Sequence, residues 1–321
     1  MPLPPNISKI EELVLGELAG HQELERIDRG FRWLREAGET RLWFQPTTME
    51  PDDFSLCATA FIETIFAERI PAPDDSGLAR LNRRASFGSF FVRDGRLGLR
   101  ASYCIYEKET ATNWVAIILL RAMGEQLALG VGIAHSEFVP DKLAYNRANL
   151  EYPRRWTAPP EPSAIEANAK RFIDAGLVAT RGSHGLVLEV PLAEGPASRM
   201  IDPTAETALL QVSVDTPHPL AGVGYLGTIA LPYDPAKAAI PEWCRLLNEE
   251  EHTMQDFVPR LGAWGVRGTG NELVYSMFWP TDRADRTLDG TIMNWLVQRT
   301  FWLRSRHWKA GVGLTGVPTN D

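Results

Sequence analysis

Cysteine is scarce in this chain. The three in 321 residues, Cys57, Cys104 and Cys244, are far apart, odd in number and form no C-x-x-C. A disulfide framework is therefore excluded, and so is a thiolate metal site. Each sits among apolar residues, which predicts buried thiols in a reducing compartment. Long apolar runs are also missing. The most apolar stretch, Trp114–Leu120, stops at Arg121, well short of the ~20 residues a membrane-spanning helix needs. Met1-Pro2-Leu3-Pro4-Pro5-Asn6 lacks the basic and apolar segments of a signal peptide. The expected location is cytoplasmic, with no membrane partner.

Basic excess is missing as well. The net charge is −8, with 17 basic against 21 acidic side chains in residues 1–150 and 16 against 20 in the remainder. Neither half is the basic lobe of a duplex-DNA binder. Catalytic signatures are equally thin. There is no G-x-S-x-G and no P-loop. The six histidines (His21, His135, His184, His218, His252, His307) include no H-x-x-x-H pair and none beside a cysteine, so no metal is expected. G-x-G-x-x-G occurs at Gly222–Gly227 and Gly311–Gly316, but a dinucleotide site needs a helix to follow. The first match runs into the strand-like Thr228–Leu231 and the second lies in the tail. Asp52-Asp53 and Asp74-Asp75 read as loop or capping residues. Glu249-Glu250-Glu251-His252 reads as a solvated helix end. No cofactor is expected and no enzyme is indicated.

What the chain does have is a repeat. Leu81-Asn82, Gly88-Ser89-Phe90, Val92-Arg93, Leu97-Gly98-Leu99 and Asn113-Trp114-Val115 recur in order. The second set is Leu247-Asn248, Gly262-Ala263-Trp264, Val266-Arg267, Leu273-Val274-Tyr275 and Asn294-Trp295-Leu296. The length suits two domains of roughly 150 residues, and 44% hydrophobic residues suffice for two cores.

Periodicity predicts a helix from Ser8, an N-cap with Glu11 three residues on. It continues through Leu24, Ile27, Phe31 and Leu34 to Gly38. A second such helix runs from Ser163 to Gly176. Strands are predicted at Arg41–Gln45, Gly185–Pro191, Ala208–Asp215 and Gly222–Leu231. Phe54–Glu68 fits strand or helix, its first part reading better as strand. Helices follow at Ser76–Ala85 and Pro241–Met254. Two strands then turn at Asp94-Gly95 in the first copy and at 268–271 in the second. Closing helices lie at 111–129 and 288–307.

The result is an α+β protein of two similar domains, each α-βββ-α-ββ-α. The first domain spans 1–135 and the second 163–308. A Pro-rich linker, 136–162, joins them, and 309–321 is a loose tail.

The Leu-Asn helix, the Gly-x-[Phe/Trp] hairpin and the apolar closing helix resemble the YbjN-like proteins, over roughly residues 20–130 and 163–308. That resemblance implies the type III secretion chaperone-like fold, a bacterial source, and a small acidic binding module that pairs with itself. It carries over no catalytic residues. In tandem, the pair becomes an intramolecular pseudo-dimer, in a chain that is monomeric or homodimeric.

Helix 114–129 is apolar almost all round, whereas a helix lying on one sheet keeps a polar face. Trp114, Ile117, Ile118 and Met123 are therefore candidates for inter-domain or partner contact. The alternative is a central core helix. The second copy holds six of the ten Trp. There Trp264, Trp279 and Trp302 with Arg299 read either as a groove of aromatic and guanidinium anchors or as core Trp with a solvated Arg face.

The expected function is a non-enzymatic protein-binding module acting as chaperone, adaptor or regulator. Nucleic acid is disfavoured by the charge, so an accessory factor for single strands stands as the alternative. An enzyme with a dispersed acidic/His site is the third reading.

Overall fold

The computed structural model describes residues 5–18, 24–35, 38–46, 56–68, 70–83, 87–106, 112–135, 162–182, 185–192, 206–218, 222–232, 240–253, 260–267, 272–280, 288–309 and 313–314. By compactness the chain forms two units. Unit 1 comprises Met1–Leu81, Ala85–Ala144 and Asn248–Ala263; unit 2 comprises Asn82–Arg84, Tyr145–Leu247 and Trp264–Asp321. The linker expected at 136–162 lies outside the described residues up to 161, as does the turn at 268–271.

Unit 1 opens with α1 (Pro5–Leu18). It starts at a proline, which tolerates the first turn because no amide partner is needed there. Ile7, Ile10, Val14 and Leu18 form its buried stripe. The helix does not run on to Gly38. Residues 24–35 form a hairpin, β1 (Leu24–Ile27) and β2 (Gly30–Arg35), turning at Asp28-Arg29 with Arg29 at φ 56°. The 3-4-3 spacing of Leu24, Ile27, Phe31 and Leu34 imitates a helix. The side chains buried instead follow period two, Phe31 and Trp33 facing inward.

Strands β3 (Gly38–Pro46) and β4 (Leu56–Phe66) follow, so four strands precede the second helix rather than three, and 56–66 is strand throughout. Helix α2 (Asp75–Asn82) is capped by Asp74, whose Oδ1 accepts from the Gly77 N–H at 2.7 Å. Strands β5 (Ser89–Arg93) and β6 (Arg96–Tyr106) meet at Asp94-Gly95, both at positive φ (52° and 71°), as a type I′ hairpin requires. Helix α3 (Thr112–His135) closes the set. The sheet is antiparallel in the order β1-β2-β3-β4-β6-β5.

Helix α3 lies on β3, β4 and β6, and α1 packs on α3. Cover from two directions within unit 1 is the physical reason α3 has no wide polar face.

The elements from residue 162 onward, most of them in unit 2, repeat the plan. Helix α4 (Pro162–Asp174) ends at Gly176, φ 84°, where the Leu177 and Gly176 amides donate to the Phe172 and Ile173 carbonyls. Strands β7 (Val178–Gly182), β8 (Gly185–Pro191), β9 (Thr207–His218) and β10 (Gly222–Ala230) lead to α5 (Ile240–Thr253). Then come β11 (Gly262–Arg267), β12 (Glu272–Pro280) and α6 (Leu288–His307). A short pair, β13 (Trp308–Lys309) and β14 (Gly313–Leu314), follows α6.

The second sheet reads β7-β8-β9-β10-β12-β11, the strand order of the first. Helix α6 packs on β8, β9 and β10, over Leu186, Leu188, Leu210, Val212 and Ile229. Gly227, the last glycine of the first G-x-G-x-x-G, lies in β10 under α6. A Cβ there would stand 3.1 Å from Ile292 Cγ2, so this glycine serves helix–sheet packing. No helix among the described residues is long and apolar enough to cross a membrane.

Candidate functional site

Alternation along each strand puts every second side chain on the same face. In unit 1 the face turned away from α3 carries a charged row across five strands: Glu25, Arg32, Arg41, Glu63 and Arg100, each in register with the next. Ser89 of β5 extends it beyond Arg100. The neighbouring row is Gly30, Trp43, Phe61 and Ser102, and the row on the other side is Leu34, Glu39, Ile65, Gly98 and Phe91.

Trp43 and Phe61 are half-buried and stacked, centroids 5.2 Å apart and planes 17° from parallel. The charges are paired. Arg32 Nη2 reaches Glu25 at 2.8 Å, Arg41 Nε contacts Glu39, and Arg93 donates twice to Glu63, at 3.0 and 2.6 Å. Hydrogen bonding to Glu63 raises the affinity of Arg93 for its proton.

One end of this face is closed within unit 1 by residues 248–253 and 260–263. Arg260 and Ser102 exchange two backbone hydrogen bonds, at 3.1 and 2.9 Å, and the Gly88 N–H donates to the Leu261 carbonyl. These bonds occupy the edge of β6 where β5 has ended. Arg100 Nη2 donates to the Asn248 carbonyl at 3.2 Å. Its guanidinium lies 4.7 Å from the Phe91 ring, with that of Arg93 4.8 Å from the same ring. Burial pushes the Arg100 guanidinium down to about 10, against the opposing pull of Glu63 and Glu249.

His252 Nε2 lies 3.0 Å from Ser89 Oγ. The Glu249–His252 stretch is thus no solvated helix end: Glu251 is buried and His252 is half-buried beside Ser89. A hydroxyl and an imidazole at this distance have the spacing of a nucleophile–base pair, which also needs a third group to orient the base. Ser89 itself is almost wholly buried. Among the described residues no His, Cys, Asp and Glu side chains gather in a metal-binding group.

The second unit supplies an internal comparison. Gly30 and Gly185 hold the same place, each opening the second strand where a Cβ would strike a carbonyl oxygen of the third, Leu42 at 2.0 Å and Val212 at 1.9 Å. Counting from them along the matched registers, Glu25, Arg32, Arg41, Glu63 and Arg100 correspond to Thr180, Val187, Gln211, Thr228 and Ser276. Every charged position of the row is neutral in unit 2. Trp43 and Phe61 correspond to Ser213 and Leu226, and in the sequence repeat Ser89 matches Ala263. One strand order thus carries two different outer faces, so the fold itself does not require the charged one.

The residues singled out in the sequence are placed as follows. Ile118 and Met123 are buried in α3 and Ile117 is half-buried. Trp114 belongs to α3, its side chain outside the described residues. Trp264 and Trp279 are fully buried in unit 2 and Trp302 is half-buried. Arg299 is buried over the Tyr275 ring at 4.0 Å, and Tyr275 packs against Trp264 at 5.4 Å. Trp279 meets Trp295 at 5.1 Å, and His307 stands edge-on between Trp243 and Trp302.

These contacts bring Trp264 and Arg299 together through Tyr275 inside the unit 2 core. The outer face of the first sheet escaped the sequence reading. Its signal is the alternation of Arg32 with Phe31 and Trp33, and of Arg41 and Trp43 with Leu42, which a helical phase through 24–35 conceals.

Comparison with protein-family models, curated proteins and solved structures finds no match.

Proposed function

We propose that this chain is a cytoplasmic, non-enzymatic protein-binding module acting as chaperone, adaptor or regulator, and that it engages its partner through the outer face of the first sheet. The carrying observation is the difference between the two units. A charged, Trp-bearing face stands in one copy where the other has Thr180, Val187, Gln211, Thr228 and Ser276. Trp, Phe and Arg are residues that interface centres concentrate.

The finer architecture belongs to the same proposal: two YbjN-like repeats of the type III secretion chaperone-like fold, joined as an intramolecular pseudo-dimer. The shared strand order supports it.

The test is affinity capture from host extract with quantitative mass spectrometry. Wild type is compared with Trp43→Ser/Phe61→Ser, both shown folded by far-UV circular dichroism. A specific protein enriched by wild type and lost with the variant carries the proposal. Matching capture profiles overturn it.

A second reading, single-stranded nucleic acid on the same face, draws on stacked aromatics beside guanidinium groups. The alternation of sign along the row weighs against it, because a phosphate chain seeks an uninterrupted positive track.

A further inference from the structure

We infer that the outer face of the first sheet takes an acidic, extended protein segment that also carries aromatic or aliphatic side chains. This rests on the protein-binding reading above and names the partner's chemistry.

Of the ion pairs described on this face, Arg32–Glu25 at the β1 end presents its carboxylate, 56% exposed against 32% for the guanidinium side chain, whereas the pairs at the middle of the sheet and on β5 present the guanidinium. In Arg41–Glu39 the guanidinium side chain is 50% exposed and the carboxylate 25%; in Arg93–Glu63 the values are 50% and 14%. The carboxylates lie lower, and the charge presented outward at both places is positive. This local sign opposes the −8 of the whole chain. A surface of opposite sign to its own molecule selects partners that the rest of the molecule repels.

Arg41 meets Glu39 through Nε. That leaves the Nη1/Nη2 edge for a second carboxylate, in the two-pronged geometry that distinguishes Arg from Lys. The pairing with Glu39 and Glu63 holds the guanidinium groups in place before any partner arrives, which lowers the entropy cost of capture.

Beside the charged row, one strand-residue repeat away, Trp43 and Phe61 form a half-exposed apolar shelf. An extended segment with alternating character matches both features, its carboxylates on the Arg row and its apolar side chains on the shelf. Leu34, 47% exposed, widens the apolar surface on the far side of the row.

The experiment uses the full-length chain and three fluorescein-labelled probes. One is a short peptide alternating Glu with Phe and Leu, the second has Lys in place of Glu, and the third is an oligothymidylate of similar length. Anisotropy is read at low and at physiological salt. The acidic peptide should bind, weaken as salt rises, and lose about tenfold in affinity in Arg41→Gln/Arg93→Gln, the sum of two exposed charge contacts. Arg181→Gln, an exposed Arg of unit 2 paired with Glu166, should leave binding unchanged.

Equal affinity for the Lys peptide, or an acidic affinity untouched by the double substitution, overturns the inference. Oligothymidylate bound more tightly than the acidic peptide overturns both this inference and the protein-binding reading. If Trp43→Ser/Phe61→Ser abolishes capture of a cellular protein while the acidic peptide fails to bind wild type, the binding reading stands and the acidic chemistry falls.

Discussion

The core of unit 1 contains a polar chain whose energetics can be worked from geometry. Thr40 Oγ1 and Thr64 Oγ1 are 2.8 Å apart, and Thr64 Oγ1 donates to Gln126 Oε1 at 2.8 Å. Thr64 has one hydroxyl hydrogen, and Gln126 receives it, so Thr40 is the donor to Thr64. All three side chains are buried, and Gln126 Nε2 has no acceptor.

Thr64→Val keeps the shape and strands two groups, the Thr40 hydroxyl and Gln126 Oε1. At about 1–3 kcal/mol for each unmet buried group, with some rotation of Thr40, the loss should be about 2–4 kcal/mol. Gln126→Leu removes one unmet buried donor, Gln126 Nε2, and leaves another, the Thr64 hydroxyl hydrogen, while the Thr40–Thr64 bond stays, so the count of unmet groups does not change. The variant should be within about 1 kcal/mol of wild type or more stable. Thr64→Val/Gln126→Leu should then be more stable than Thr64→Val alone, a non-additive result. Unit 2 shows that the scaffold accepts the apolar solution, since Leu210 and Ile229, both fully buried, occupy the matching pair.

Urea unfolding followed by circular dichroism gives the free energies. Hydrogen exchange of the β3, β4 and α3 amides assigns them to unit 1. Gln126→Leu as damaging as Thr64→Val, or strictly additive effects, would refute the reasoning, because the first contradicts the count of unmet groups and the second shows no coupling between Thr64 and Gln126.

Three further outcomes are expected. Gly30→Ala and Gly185→Ala should each destabilise severely, by roughly 3 kcal/mol or more, since a Cβ would stand 2.0 and 1.9 Å from a backbone oxygen; thermal unfolding should show both variants far below wild type. Ile118→Ala empties a fully buried site on α3, a helix packed by both the sheet and α1, and should cost about 2–5 kcal/mol in denaturant unfolding. Ser89→Ala deletes the hydroxyl beside His252. It should cost only about 0.5–1.5 kcal/mol while speeding amide exchange in 248–253; unchanged exchange there would show that the contact does not hold the segment.

What could be read from the sequence depended on whether local pattern and long-range register agreed. Gly185–Pro191 was expected as a strand and is β8 to the residue, because Leu186, Leu188 and Val190 alternate cleanly into the core. The Asp94-Gly95 turn was legible because positive φ at two successive residues is local chemistry. Residues 24–35 misled because four apolar residues satisfied a helical period that the hairpin does not use. Strand β7 went unseen, being a five-residue edge whose outward Val178 and Thr180 give no alternation to read.

The Trp-and-Arg cluster of the second copy shows a different limit. Composition cannot tell a solvated guanidinium from Arg299, buried on the Tyr275 ring. The charged row of the first sheet lies beyond local pattern altogether, since Glu25, Arg32, Arg41, Glu63 and Arg100 become neighbours only through four strand registers. Its meaning comes from the comparison of the two units. A row imposed by folding should recur where the strand order recurs, and all five positions are neutral in unit 2. Charges the scaffold can do without, ordered in ion pairs beside a stacked Trp43 and Phe61, are why the proposed binding face is placed on the first sheet and not on the second.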